Sequence, residues 1–251
     1  MTFLYSLNCA QLNPPIPAIQ AATYCLVLDT QQGLALVDCG YSTQDFRNPP
    51  VIVRLFTWLM RTSRNPQTCT LNQLATHGIN PSMVQHIILT HMHIDHAGGI
   101  ADFPWATVHV HCQEYEAARH HRGRVGIGYV RKQWQQHQHW AFYENPDCEW
   151  FGWPAITLPF TPTILLIPTP GHTPGHCMVA IKQQSNRWLL QTGSAAFPFY
   201  LPAEQYPVHP PVWLQRWGMG GYVQRLKKLW IEHRDQITFT SGHEFVKRHH
   251  P

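Results

Sequence analysis

Charge is what this sequence has least of: only 13% of its 251 residues are Asp, Glu, Lys or Arg. Lys and Arg total 18 against 14 acids, and 18 − 14 leaves +4. So small an excess, with no basic run interleaved with aromatics, argues against a nucleic-acid binder. Apolar runs are short as well. None approaches the about 20 residues needed to cross a bilayer, so neither nucleic acid nor membrane is expected as a partner. Met1–Leu7 has no basic start and no long apolar stretch, so no signal peptide is expected. CxxC pairs are missing. The seven cysteines, Cys9, Cys25, Cys39, Cys69, Cys112, Cys148 and Cys177, are odd in number. That argues against a disulfide framework and a Cys-held zinc, and for a cytoplasmic setting.

Histidine is what is abundant. Its 18 copies outnumber the 14 acids and equal Lys plus Arg, which directs attention to metal chemistry while weakening any single His as a signal.

Strand-like and helix-like segments alternate along the chain, and no linker divides it. Residues 23–29 and 34–37 flank the turn Gln31-Gln32-Gly33 as a β-hairpin, ending in Val37-Asp38-Cys39-Gly40. Residues 51–61 (VIVRLFTWLMR) are apolar nearly all round and read as a buried or pocket-lining helix, or as half of a dimer contact. Thr70 with Gln73 resembles a capping box opening a helix at 71–77. Short apolar runs at 86–90, 107–111, 163–167, 177–182, 188–191 and 237–240 read as strands, and 113–120 and 222–233 as helices. The stretch 122–155 has no readable period. The expectation is one α/β domain over 1–251, with helices outside sheets.

Three segments carry chemistry, and each follows an apolar strand. The strongest is Thr90-His91-Met92-His93-Ile94-Asp95-His96-Ala97-Gly98-Gly99, with four ligand-type side chains inside six residues. If the extended backbone continues, His91, His93 and Asp95 share one side, and imidazoles with one carboxylate suit Zn²⁺ or a similar ion. The second is Pro170-Gly171-His172-Thr173-Pro174-Gly175-His176, whose Pro-Gly turn aims His172 inward. The third is Ser241-Gly242-His243.

HxHxDH, then a Pro-Gly-His loop, then a late Gly-His resembles the ligand order of the metallo-β-lactamase-fold hydrolases, and the length resembles their lactonase-like members. The resemblance runs from the strand at 36–40 to His243. It implies an αββα sandwich of two mixed sheets flanked by helices, with adjoining metal positions at one edge. His91, His93 and His172 would make one position, and Asp95, His96 and His243 the other. Asp38 and His176 would support the ligands from behind. One or two Zn²⁺ ions, or another divalent metal, would be the cofactor.

The sequence departs from the family at one place. The family's Thr-Gly-Asp, whose Asp bridges the metals, is Thr192-Gly193-Ser194. A serine hydroxyl is neutral, a poor ligand and too short to bridge. Ala196 and Phe197 stand where lactonase-like members often carry a Tyr; Tyr200 is near.

The leading expectation is a metal-dependent hydrolase of an ester, lactone or similar acyl bond. A metal-activated water would be the nucleophile and Asp95 would orient it and relay the proton. Residues 51–61 and Trp134, Trp140, Trp150 and Trp153 would line an apolar pocket for a small acyl substrate. The alternative is a catalytically impaired or reassigned metal- or ligand-binding member. A mononuclear iron oxygenase also has ligands of the right kinds. A redox di-iron site does not, because His93 stands where it would need a carboxylate.

Overall fold

A computed structural model describes residues 3–13, 19–121, 126–196 and 220–247. Its strands form two mixed sheets. The first has seven strands: β1 (Phe3–Leu12), β2 (Ile19–Thr30), β3 (Gly33–Val37), β4 (Val84–Ile88), β5 (Thr107–His111) and β6 (Trp140–Tyr143) in spatial order, with β13 (His243–Lys247) also on β2. The second has six, in the order β12 (Ile237–Thr240), β11 (Trp188–Gln191), β10 (Cys177–Lys182), β9 (Ile164–Pro168), β8 (Trp153–Thr157) and β7 (Cys148–Trp150).

The layers follow from period-2 alternation. Along β2 and β3, Cys25, Val27, Leu34 and Leu36 face one core, while Leu26, Leu28, Ala35 and Val37 face another. Along β9 and β10, Ile164, Leu166, Cys177, Val179 and Ile181 enter that same second core, while Leu165, Ile167, Met178 and Ala180 enter a third. The shared core is the interior of a β-sandwich. The outer cores are closed by helices. Leu74 of α3 (Thr70–Thr76) and Ala117 of α5 (Cys112–His120) cover the first sheet. Leu226 and Leu229 of α6 (Val223–His233) cover the second. Strands apolar on both faces are what a sheet covered on both faces requires, and the αββα architecture results.

Several sequence expectations shift. The hairpin is present, with β2 longer than expected. The helix at α3 forms, yet Thr70 does not cap it: the N-cap is Cys69, and the Thr70 hydroxyl donates to the Cys39 carbonyl at 2.8 Å. Gln73 reaches the Asn8 and Thr68 carbonyls instead of closing a box. The capping box sits at Ser42 and Asp45, opening α1 (Thr43–Arg47). The stretch without a readable period holds β6, β7 and β8, which are three to five residues long and too short for periodicity to register.

β3 and β4 run parallel, as do β11 and β12, and β9 shares the direction of β11 because both are antiparallel to β10. Each of these five strands is followed by one of the residues singled out above: Asp38, His91, His172, Ser194 and His243.

Candidate metal centre

The segment after β4 leaves the sheet extended and turns at once into the short helix α4 (Ile94–Ala97), with His93 as its N-cap. Small residues permit this turn. A Cβ at Gly99 would collide with the Cys39 carbonyl. A Cβ at Gly128 would lie 2.6 Å from the His93 ring.

The fold brings the six expected ligand residues together as two groups of three, His91, His93 and His172, and Asp95, His96 and His243. Within each group the ligand atoms lie within 4.8 Å of one another. His172 Nε2 stands 3.0 Å from His93 Nδ1, and His96 Nε2 3.0 Å from His243 Nε2. The Asp95 carboxylate accepts from the Thr23 hydroxyl at 3.0 Å and lies 3.7 Å from His243 Nε2.

Tautomers follow from the surrounding donors. Asp38, wholly buried, accepts from the Thr90 amide at 2.9 Å, from the Thr90 hydroxyl at 2.8 Å and from His96 Nδ1–H at 2.8 Å. His96 therefore keeps its Nε2 lone pair for the site. The Thr90 hydroxyl, donating to Asp38, accepts from His91 Nδ1–H at 3.0 Å. That frees His91 Nε2, a buried atom with no hydrogen-bond partner. A buried acceptor of this kind is costly unless something else satisfies it. With imidazole lone pairs converging beside one carboxylate, the donor set fits a divalent ion of the Zn²⁺ type, and at His91 and His96 the other ring nitrogen is held from behind.

Protonation agrees. Burial, then the neighbouring imidazoles, hold His91 well below the ordinary histidine value. Burial pushes His243 down to about 4. Burial opposes charge on His96, but Asp38 and Asp95 outweigh it and raise that residue. Burial likewise opposes charge on Asp95, and the facing histidines outweigh it and lower its carboxyl.

His176 is buried and held at both ring nitrogens. Its Nδ1 meets the Thr169 hydroxyl at 2.9 Å and its Nε2 accepts the Ser194 amide at 3.0 Å. The Ser194 hydroxyl is buried with no hydrogen-bond partner. Phe197 and Tyr200 lie outside the described residues.

Sequence reasoning missed Glu114. It is wholly buried on α5 and accepts the Met92 amide at 2.8 Å and the Gly175 amide at 3.1 Å. One carboxylate thus ties the His91–His93 segment to the loop that carries His172. Burial raises its carboxyl despite those two donors. Thr23 was missed too.

An apolar cavity of ≈ 370 Å³ opens over the two groups. Leu12, Ile52, Leu55, Phe56, Leu59 and Met60 form its wall, with His91, His93, Asp95, His172 and His243 at its polar end. Helix α2 (Val51–Leu59) supplies most of that wall, as a pocket-lining helix should. It is not a buried helix, because Val51, Leu55, Trp58 and Leu59 are exposed. The tryptophans do not line this cavity. Trp134 belongs to the helix-covered core of the first sheet, with Trp140 packed against it, and Trp150 and Trp153 to that of the second.

Two sheets face to face, with side chains able to hold a metal gathered where their strands end, define an αββα metallo-hydrolase class. The family model of the metallo-beta-lactamase superfamily matches residues 19–229, and the chain belongs to that superfamily. A probable metallo-hydrolase of Mycobacterium tuberculosis is 36% identical over 220 residues, 80% of this chain and 68% of that protein. The N-acyl homoserine lactonase AiiA of Bacillus thuringiensis subsp. kurstaki is 27% identical over 184 residues, 73% of this chain and 67% of that one. A solved N-acyl homoserine lactone hydrolase, with N-hexanoyl-L-homoserine at its catalytic metal centre, shares the fold at TM-score 0.68 and 22% identity. The match covers 95% of this chain and 92% of that one.

Proposed function

We infer that this chain hydrolyses an ester, lactone or similar acyl bond of a small, partly apolar substrate. Its metal, Zn²⁺ or a close equivalent, is held by His91, His93 and His172, with Asp95, His96 and His243 as the adjoining set. The observation that carries the reading is the placement of both donor groups at the polar end of an apolar cavity. The relatives named for lactone hydrolysis support the acyl substrate class.

When bound, such an ion supplies a water of lowered pKa and a Lewis acid for the carbonyl oxygen. The protein's own residues do the rest. Asp95, steadied by the Thr23 hydroxyl, orients the attacking water and carries its proton to the leaving oxygen. Asp38 and Thr90 fix the rings of His96 and His91. The wall from Leu12 to Met60 holds the acyl portion and keeps bulk water from the reacting carbonyl.

The test is a panel of lactones and aryl esters, assayed with and without a chelator. Hydrolysis that the chelator abolishes and added Zn²⁺ restores is the expected result. A rate indifferent to chelator, or no turnover with any divalent metal, overturns the reading. The second outcome would favour an impaired or reassigned binding protein, which the Ser194 hydroxyl in place of a carboxylate also supports.

A further inference from the structure

Helix α2 has an exposed apolar ridge that extends past the cavity wall: Leu55 and Leu59 line the cavity, Val51 and Trp58 do not. At about 100° per residue, Val51, Leu55 and Trp58 project together, opposite the buried Val53 and Thr57 that anchor the helix. Exposure is 72% for Val51, 52% for Leu55, 74% for Trp58 and 52% for Leu59. Four large side chains left in water on a nine-residue helix form a contiguous patch, which is the kind that marks an interaction surface.

Within its own segment of the chain the exposed charge has one sign. Residues 41–69 contain Arg47, Arg54, Arg61 and Arg64, and a single carboxylate, Asp45. Asp45 is buried and bonded to Ser42 and Gln133. All four arginines are exposed. Arg54, Arg61 and Arg64 line a groove with Trp58 and Leu59, so the cations border the apolar ridge directly. A second copy of the chain is a poor occupant. A two-fold contact through this helix would bring the basic flanks of the two copies, each with Arg54 and Arg61, toward one another.

We propose that α2 docks on an anionic lipid surface, with Val51, Leu55, Trp58 and Leu59 entering the interface and the arginines meeting the headgroups. An exposed apolar face with an interfacial tryptophan and a basic flank is the pattern of a helix lying in the membrane plane. Such docking needs no spanning segment; among the described residues no helix is long and apolar enough to cross a membrane. The expectation of no membrane partner rested on spanning length alone. Leu55 and Leu59 belong to both the ridge and the cavity wall, so the docked protein would open its cavity toward the lipid. An amphiphilic substrate could then pass from the bilayer to the polar end without crossing bulk water.

The experiment is co-sedimentation of the full chain with vesicles of phosphatidylcholine containing about 30% phosphatidylglycerol, and with pure phosphatidylcholine. Binding does not require turnover, so its outcome is independent of the hydrolase reading. Binding to the anionic vesicles that weakens at about 0.5 M salt is expected. Arg54→Glu with Arg61→Glu should weaken partitioning at least about tenfold. Trp58→Phe should remove the fraction of emission that brominated phosphatidylcholine quenches. Circular dichroism confirms that each variant is folded. Absence of binding, equal binding to neutral vesicles, or indifference to both sets of substitutions overturns the proposal. A salt-resistant dimer whose contact Trp58→Glu abolishes would overturn it in favour of a second copy.

Discussion

Asp38 has φ 57°, a left-handed conformation that Asp tolerates better than most residues. It turns the carboxylate back from the end of β3 toward Thr90 and His96. Asp38→Asn keeps the size and the backbone tolerance but has one acceptor oxygen where two are used. Either the Thr90 amide, on one oxygen, or the His96 Nδ1–H, on the other, then loses its acceptor. Divalent-metal affinity should fall about 10-fold or more, measured by competition with a chromophoric chelator. Unchanged affinity would leave Asp38 with only a turn-forming role. This residue stood out as an acid directly after an apolar strand, and its place behind the ligands was legible through the family resemblance. Glu114 was not. Its neighbour two positions on, Glu116, is a half-exposed carboxylate paired with Arg119, and nothing in the spacing separates the two. Only the packing of α5 against the Met92 and Gly175 amides does so.

Elements were legible where pattern and position agreed. β5, β10, β11 and β12 fall where their apolar runs lie. The ligand segments were legible because each follows such a run. Aromatic residues were not, since a tryptophan in a core and one in a pocket look alike in sequence. β5 shows a further consequence of alternation. Val108 and Val110 enter the helix-covered core, which places His109 on the opposite face. There it meets His86 at 3.1 Å and the Tyr143 hydroxyl at 2.8 Å, edge-on to Phe160. Burial, then His86, lowers His109 to about 4. The folded value lies below the unfolded one of about 6.5. The unfolded chain therefore takes up the proton first as pH falls, and the contribution of neutral His109 is complete above about pH 6.5 and lost toward about pH 4. Between pH 7 and about pH 4.5 this amounts to about 2 kcal/mol. His109→Gln removes the titration. In urea unfolding of metal-free protein, wild type should lose about that much more stability than the variant over this interval. Equal losses would mean that His109 is not held neutral.

At the scale of the whole molecule, the centre joins the two sheets. His91 and His93 come from the loop after β4, and Asp95 and His96 from the short helix α4 that follows it. His172 and Ser194 come from the second sheet, and His243 begins β13 on the first. A metal held by His91, His93 and His172 would therefore clamp the two sheets together without calling on Ser194. A second metal would call on it. Two divalent ions bring +4, and Asp95 with one hydroxide leaves +2, where a bridging carboxylate would leave +1. At a separation of about 3.5–4 Å the repulsion between such ions is large and is offset less without that carboxylate. The isolated protein should thus hold nearer one metal than two. The backbone at 194 is already fixed, by the hydrogen bond from its amide N–H to His176 Nε2 and by Gly193 at φ 54°. At Gly193 a Cβ would lie 2.7 Å from the same His176 nitrogen. Ser194→Asp then restores charge and reach without rebuilding the loop. It should raise metal content, read by elemental analysis after dialysis, from near one toward two. If the cavity is otherwise competent, it should also raise the hydrolytic rate. Ser194→Ala should change metal content little, because a neutral hydroxyl contributes little as a ligand. Two tightly held metals in the wild type would show that another group bridges them. A variant that gains the second metal and still turns over no ester or lactone would move the case toward a binding protein built on a hydrolase frame.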